Sequence, residues 1–249
     1  MIDIHSHILP GVDDGAQSME ASLELLYIAA ECGVEGIVAT PHCNIPDEYE
    51  NLAGPEMDRL WVRFERECKN AGIRINIYRG MEVFATPALP ELLRKKRVWT
   101  INDTRYFLVE FSFTEDPRFC RSILDQCMEE GYRPVIAHPE RYLFIQDDPQ
   151  IAFDWCVSGC ALQINKGSLL GRFGREPKAA AERLLDHGLA ACVASDAHSP
   201  DQRSTYMGEI RNYILDTFGE GYTELLLDEN PRRILRGESL LGYRPVPFI

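Results

Sequence analysis

The sequence predicts an α/β fold, a (β/α) barrel of seven parallel strands, on three observations. Short apolar runs alternate with amphipathic helical periods along most of the chain. Most of those runs stop at a histidine or a carboxylate: Ile2-Asp3-Ile4-His5-Ser6-His7, Val38-Ala39-Thr40-Pro41-His42, Ile75 to Glu82, Phe107-Leu108-Val109-Glu110, Val135-Ile136-Ala137-His138 and Val193-Ala194-Ser195-Asp196-Ala197-His198. The alternation implies a parallel sheet covered by helices. The third observation is that these side chains gather at one end of strand after strand. In a barrel every strand reaches the mouth, whereas an open sheet collects its site at one switch point.

Each element has its own local reason. Strand one is 2–5. A helix follows from about 18, with Met19, Leu23, Leu26 and Ala30 on one face, Ser18 as N-cap and Gly33 beyond its end. Strand two is 35–40. Met57, Leu60, Phe64, Cys68 and Ala71 mark the next helix, closed by Gly72, and strand three is 74–79. A short helix at 88–95 precedes strand four, 106–111. Phe119, Ile123, Cys127 and Met128 mark a helix ending at Gly131, before strand five at 133–137. A helix near 148–158 leads to strand six, 160–164. Pro177 opens a helix that ends at Gly188, strand seven is 190–194, and helices fill most of 203–236. No Pro/Gly/Ser tract, charge block or repeat interrupts the 249 residues, so one domain, 1–249, is expected.

Composition narrows the function. The formal net charge of −13 argues against nucleic acid and against anionic membrane surfaces. The N-terminus is already strand, with no basic segment or long apolar run, so neither a signal peptide nor membrane insertion is expected. The eight cysteines form no CxxC pair and no compact framework, which suits thiols in a reducing cytoplasm.

The histidines carry the chemistry. His5 and His7 lie on one side of an extended chain, so both can reach one ion. An HxH closing the first strand is a modest signal by itself. Together with Asp196-Ala197-His198 closing the last strand it is much stronger, because first and last strands are neighbours in a closed barrel. The competing reading, buried histidines bonded to the core, would need that accident at one strand end after another. A His/Asp/Glu cluster without thiolate suits Mn²⁺, Fe²⁺ or Zn²⁺.

MIDIHSHILPGVDDG at 1–15, TPH at 40–42, GME at 80–82, AHPERY at 137–142 and SDAH at 195–198 together resemble the PHP family, named for polymerase-associated and histidinol-phosphatase domains. The likeness is strongest to its bacterial branch of manganese-dependent protein-tyrosine phosphatases, which accompany capsule and exopolysaccharide kinases. The resemblance implies a distorted TIM-like barrel, the PHP fold, and three divalent ions, manganese or else iron or zinc. It implies that His5, His7, Glu82 and Asp196 bind the first ion. Glu82 bridges to a second, held also by Glu110 and His138, and Asp14, His42 and His198 take the third. Four carboxylates against three divalent ions leave a local charge of about +2, which suits a phosphate dianion. The implied activity is hydrolysis of phosphotyrosine by hydroxide generated at the metals, on the tail of a bacterial tyrosine kinase in the cytoplasm. Arg141 and Arg203 correspond to arginines that contact the phosphate, matching its oxygens with a planar fork of donors. Surface arginines paired with the abundant carboxylates are the alternative. Two other functions stay open: a phosphatase for a small ester such as histidinol phosphate, and a non-catalytic, metal-stabilised regulatory barrel.

Cys68-Lys69-Asn70-Ala71-Gly72-Ile73-Arg74 spells C-x₅-R, the signature of cysteine-based tyrosine phosphatases. That signature needs a strand, a phosphate loop and then a helix N-terminus. Here the order is helix then strand, so Cys68 is expected to be core. Cys43 has no arginine at the required distance, and His187 is expected at a helix C-terminus. Two loops are candidate substrate contacts: 43–56 as a lid, and 166–175 as a basic rim carrying Lys166, Arg172 and Arg175, unless it is simply solvated.

Overall fold

Apolar runs and helical periods alternate in the structure as they do in the sequence. The computed structural model describes residues 1–242 and 245–248. Its strands are β1 (Ile2–Ser6), β2 (Gly36–Ala39), β3 (His42–Cys43), β4 (Asn76–Arg79), β5 (Glu82–Phe84), β6 (Tyr106–Glu110), β7 (Arg133–Ala137), β8 (Ala161–Asn165) and β9 (Ala190–Ala194). The helices between and after them are α1 (Met19–Glu31), α2 (Pro55–Asn70), α3 (Leu89–Arg94), α4 (Pro117–Glu129), α5 (Leu143–Asp147), α6 (Gln150–Val157), α7 (Lys166–Leu169), α8 (Arg175–Asp186), α9 (Gly208–Phe218), α10 (Glu220–Glu224) and α11 (Asn230–Arg236).

Every strand pairing is parallel. One sheet runs β1-β2-β4 and the other β3-β5-β6-β7-β8-β9. These nine segments fill seven strand positions, because β2 leads into β3 and β4 into β5 after short breaks. Pro41 explains the first break, since it has no N–H to offer the ladder. Its carbonyl still accepts from the Glu82 N–H at 3.1 Å. The ring continues from β9 to β1 at the mouth, where His7 N–H donates to Ala197 O (2.8 Å) and Asp196 N–H to His5 O (2.9 Å). The seven expected strands are therefore present, with the second and third interrupted near Thr40-Pro41 and Gly80-Met81.

The strand faces divide two apolar clusters. Ile37, Phe107, Val109, Ile136, Leu162, Ile164 and Val193 pack outward with Leu25, Phe64, Leu124, Trp155 and Leu184 of the helices. Val38, Leu108, Val135, Ala137, Ala161 and Ala194 form the second cluster, with Ile101 and with Ile234 and Leu235 of α11. By strand alternation Glu110 shares the face of Leu108, and Gln163 and Asn165 share that of Ala161. The polar site thus stands on the same strand faces as the second cluster.

Three local expectations need correction. The buried stripe of α1 is Ser22, Leu25, Leu26 and Ala29, while Ala30 is exposed. Apolar residues on adjoining faces left the phase open, and the sheet chose it. Helix α8 begins at Arg175 rather than at Pro177. Residues 166–169 are helix α7, not loop, capped by the Asn165 side chain, which accepts from the Gly167 N–H.

Candidate metal centre

The strand ends bring the predicted ligands to one mouth. His5 comes from β1 and His7 from just past its end, Asp196 and His198 from the turn after β9, Glu82 from β5, Glu110 from β6, and His138 follows β7. Asp196 and His138 sit at φ 50° and 34°, where non-glycine residues are uncommon. Such backbone costs of order 1–3 kcal/mol and gathers at functional sites. Gly15 is needed for space: a Cβ there would fall 2.2 Å from the His7 carbonyl oxygen. The loop bearing Asp13 and Asp14 can therefore close against His7.

Hydrogen bonds fix which nitrogens face the centre. His5 Nδ1 lies 2.8 Å from Gln163 Oε1, which also accepts the His138 N–H at 3.3 Å. An oxygen in that role makes His5 Nδ1 the protonated nitrogen. His7 Nδ1 lies 2.8 Å from the Asp13 carboxylate and is protonated for the same reason. In their neutral form both rings then turn a bare Nε2 inward, and these two atoms are 3.2 Å apart. Glu82 Oε2 is 3.2 Å and 3.1 Å from them, and Asp196 Oδ1 is 3.5 Å and 3.6 Å away. With both rings neutral, four acceptors converge with no donor among them. Burial disfavours the charged rings, but the neighbouring carboxylates accordingly hold His5 and His7 above the usual imidazole range. A cation, or added protons, is what makes that arrangement favourable.

Two more groups adjoin the first. Asp14 Oδ1 lies 3.3 Å from His198 Nε2 and 3.6 Å from His42 Nε2, with His7 in the same cluster. His42 Nδ1 faces the other way, 2.9 Å from Glu110 and 3.2 Å from Glu82, yet outside hydrogen-bonding geometry. His138 Nε2 is 2.9 Å from Glu82 and 4.0 Å from Glu110. His42 thus touches two groups, and Glu82 touches all four of His5, His7, His42 and His138. The nine residues form one continuous centre, and its donor set fits divalent ions of the Mn²⁺, Fe²⁺ or Zn²⁺ type.

The electrostatics tell the same story. Burial alone would raise Glu82, but His5, His42 and His138 hold it well below the usual carboxylate range. Burial disfavours a charged His42, but Glu82 and Glu110 lift it to about 9. A hydrogen bond from His198 brings Asp14 down to about 2. For His198 burial prevails, with the charge on His7 adding to it, and its pKa falls. The field thus favours positive charge at several points and selects no single proton site.

Sequence reasoning missed the residues that orient the ligands. Asp13 accepts from His7 Nδ1, from the His42 N–H (2.9 Å) and from the Gly15 N–H (3.0 Å). Its neighbour Asp14 points to solvent, half exposed, and toward His42 and His198. Gln163 orients His5, and Asn165 Nδ2 donates to Asp196. Adjacent aspartates were the only available signal, and one-dimensional reading chose between them without a basis for assigning the other.

Both arginines converge on Asp196, Arg203 Nη2 at 2.6 Å from Oδ2 and Arg141 Nη1 at 3.7 Å. Arg203 Nε is buried without a partner. These are not freely solvated surface arginines. Of the expected basic rim, Lys166 is buried and its Nζ donates to the carbonyls of Ser204 and Tyr206. Burial lowers that amine to about 8. Arg172 pairs with Glu209 at 3.0 Å. In the 43–56 segment, the Tyr49 ring lies nearly parallel to that of His42 with 5.8 Å between centres. Cys68 lies on the buried face of α2, its thiol pushed up to about 12 by burial, and Cys43 is raised to about 12 in the same way. His187 follows α8, with Nδ1 2.9 Å from Val246 O.

A family model described as capsular polysaccharide synthesis, CpsB/CapC, matches residues 1–236. The tyrosine-protein phosphatase YwqE of Bacillus subtilis is 35% identical over 250 residues, covering 99% of this chain and 96% of that protein. The tyrosine-protein phosphatase CpsB of Streptococcus pneumoniae is 33% identical, covering 96% of this chain and 100% of that one. A crystal structure from work on these two proteins, described as unique metal-dependent tyrosine phosphatases, superposes with TM-score 0.91 at 34% identity over 100% of both chains. A likeness to the lactonase Lmo2620 of Listeria monocytogenes, 12% identical with TM-score 0.58 over 97% of this chain and 92% of that one, concerns the fold alone.

Proposed function

Because the chain belongs to the CpsB/CapC capsular polysaccharide synthesis family, we propose that it is a metal-dependent protein-tyrosine phosphatase. It is a phosphoric monoester hydrolase that does not use a cysteine. The observation that carries the reading is the convergence of Glu82 and Asp196 on the His5 and His7 Nε2 atoms, all at 3.1 to 3.6 Å, in a buried cluster that favours positive charge. Three ions, manganese before iron or zinc, would be held in the partition the family resemblance implies: His5, His7, Glu82 and Asp196; Glu82, Glu110 and His138; Asp14, His42 and His198. When bound, such ions supply an activated water and neutralise phosphate charge.

The chain's own residues do the rest. Arg141 and Arg203, gathered beside Asp196, would turn their N–H edges to the phosphate, where charge rises as phosphorus is attacked. The unpartnered Nε of Arg203 supports this. Asp13 and Gln163 keep the His7 and His5 rings in the tautomer that offers Nε2. A tyrosine leaving group has a pKa of about 10, so it needs less protonic help than an alkoxide.

The mouth favours a protein ester over a small one: Asp14 is half exposed, and Phe113 stands 39% exposed beside Arg141. The substrate is phosphotyrosine on a bacterial tyrosine kinase that governs capsule or exopolysaccharide synthesis, met in the cytoplasm. Among the described residues no helix is long and apolar enough to cross a membrane.

The test is hydrolysis of an aryl phosphate after chelation and after restoring Mn²⁺, Fe²⁺ or Zn²⁺. A panel of phosphotyrosine, phosphoserine and histidinol phosphate follows. Activity that survives full metal removal would end the metal-dependent reading, and a preference for histidinol phosphate would move the substrate to the small-ester class.

A further inference from the structure

The two arginines are not held by Asp196 alone. The guanidinium carbon of Arg141 lies 4.6 Å from the ring centre of Phe113 and 4.6 Å from that of Phe173. That of Arg203 lies 5.7 Å from the same Phe173 ring. One phenylalanine therefore touches both arginines, which come from separate loops after β7 and β9. Neither ring is a metal ligand, and neither offers a hydrogen bond to phosphate.

Both rings are themselves fixed. Phe113 follows β6; its carbonyl accepts the Leu143 N–H at 2.9 Å, and its ring meets His138 edge-on at 6.1 Å. Phe173 stands between Gly171 and Gly174, which take φ of 74° and 104°. Its ring rests on Gly167, where a Cβ would fall 2.6 Å from a ring carbon. A guanidinium packed on aromatic faces is held by stacking and cation–π attraction, and it donates from its edges. Phe113 is 39% exposed, so its ring borders solvent where it packs on Arg141.

We propose that Phe113 and Phe173 are positioning residues that hold Arg141, and through Phe173 also Arg203, with their N–H edges turned to the phosphate above the metal ligands. This rests on the phosphatase reading given above. Phe173 sets the spacing between the two forks, because its ring is the apolar contact they share in addition to the Asp196 carboxylate.

The test joins a mutant cycle to arginine spectroscopy. On metal-loaded enzyme with an aryl phosphate, Phe173→Leu is expected to lower kcat/KM about tenfold, or about 1.4 kcal/mol. Phe173→Tyr should recover most of it, with bound metal and Tm unchanged in both. In an Arg141→Ala, Arg203→Ala background the same Phe173→Leu change should alter the residual rate by less than about twofold. In ¹⁵N-arginine-labelled protein the Arg141 Nε–H should show a ring-current shift that moves in Phe113→Leu and Phe173→Leu. A full tenfold loss without the arginines would overturn the proposal, since the ring would then act on substrate or fold. Unchanged kinetics in Phe173→Leu, or an Arg141 signal that does not move, would overturn it as well. Wild-type enzyme without metal-dependent turnover would instead refute the phosphatase reading, and the arginine spectra would still decide whether the rings hold Arg141.

Discussion

Asp13→Asn probes the centre through a residue that touches no substrate. The Asp13 carboxylate is buried and accepts three hydrogen bonds: His7 Nδ1–H and His42 N–H on one oxygen, Gly15 N–H on the other. Burial would raise its pKa, but His7 and the two backbone donors hold it below the ordinary value. An amide of the same shape has one oxygen only. In its better orientation the oxygen keeps His7 and His42, and the NH₂ faces the Gly15 N–H, donor against donor. One buried donor goes unmet, at about 1–3 kcal/mol, and two charge-assisted bonds become neutral ones. The total is on the order of 2–4 kcal/mol in the folded state. Part of this appears in metal affinity, because a carboxylate partner makes His7 Nε2 a better donor to an ion. A loss of about 10- to 100-fold is expected. Competition for Mn²⁺ against a chromophoric chelator, with calorimetric Tm of metal-free protein as a second measure, gives both parts. An affinity within about threefold of wild type, with Tm unmoved, would refute the assignment of Asp13 as the group that orients His7.

Other outcomes follow from the same geometry. Arg203→Ala and Arg141→Ala should each lower turnover of an aryl phosphate about a hundredfold, on the order of 3 kcal/mol, with metal content intact; Lys should not fully restore either, and losses below about threefold would return them to the class of exposed ion pairs. Cys68→Ser should keep its activity per bound metal and lose about 1 kcal/mol of stability, as a polar change on the buried face of α2; loss of turnover with metal and fold intact would reopen a thiol mechanism. Lys166→Met should reveal a pH term. The Lys166 pKa is lowered to about 8 in the folded chain from 10.5. Between those values the unfolded state binds the extra proton, so this group adds stability as pH rises. Wild type should therefore gain on the order of 3 kcal/mol relative to Lys166→Met from pH 8 to 10.5, read by denaturant unfolding; a pH-independent difference would show that the amine is not buried as placed.

The first strand shows how the sequence could be read. His5 and His7 announced themselves because an extended chain puts alternate side chains on one side, and because an imidazole at the end of an apolar run is unusual. The same rule found His42, Glu82, Glu110, His138, Asp196 and His198, each at or just past a strand end. Period and punctuation were enough for the β–α order and for dismissing Cys68, whose helix-to-strand context runs opposite to a phosphate loop. These are properties of short chain segments, and a segment carries them wherever it folds.

The phase of α1 and the broken second and third strands were not legible. Nor were the burial of Lys166, the choice of Asp13 as the partner of His7, and the contact of one phenylalanine ring with two arginines. Leu23, Leu25 and Leu26 offer two apolar stripes, and only the sheet beneath them selects Leu25 and Leu26. Asp13 and Asp14 are chemically equal in the chain. They differ because Gly15 lets the loop close on His7, which buries one carboxylate and leaves the other half in solvent. Lys166 looked like a surface cation until the loop at 199–206 brought two carbonyls to its amine. Local pattern therefore determined which residues could form the centre, by their type and spacing. Tertiary structure decided which atoms face one another, because distances between residues far apart in sequence are set by packing, and hydrogen-bond and charge energies depend on those distances.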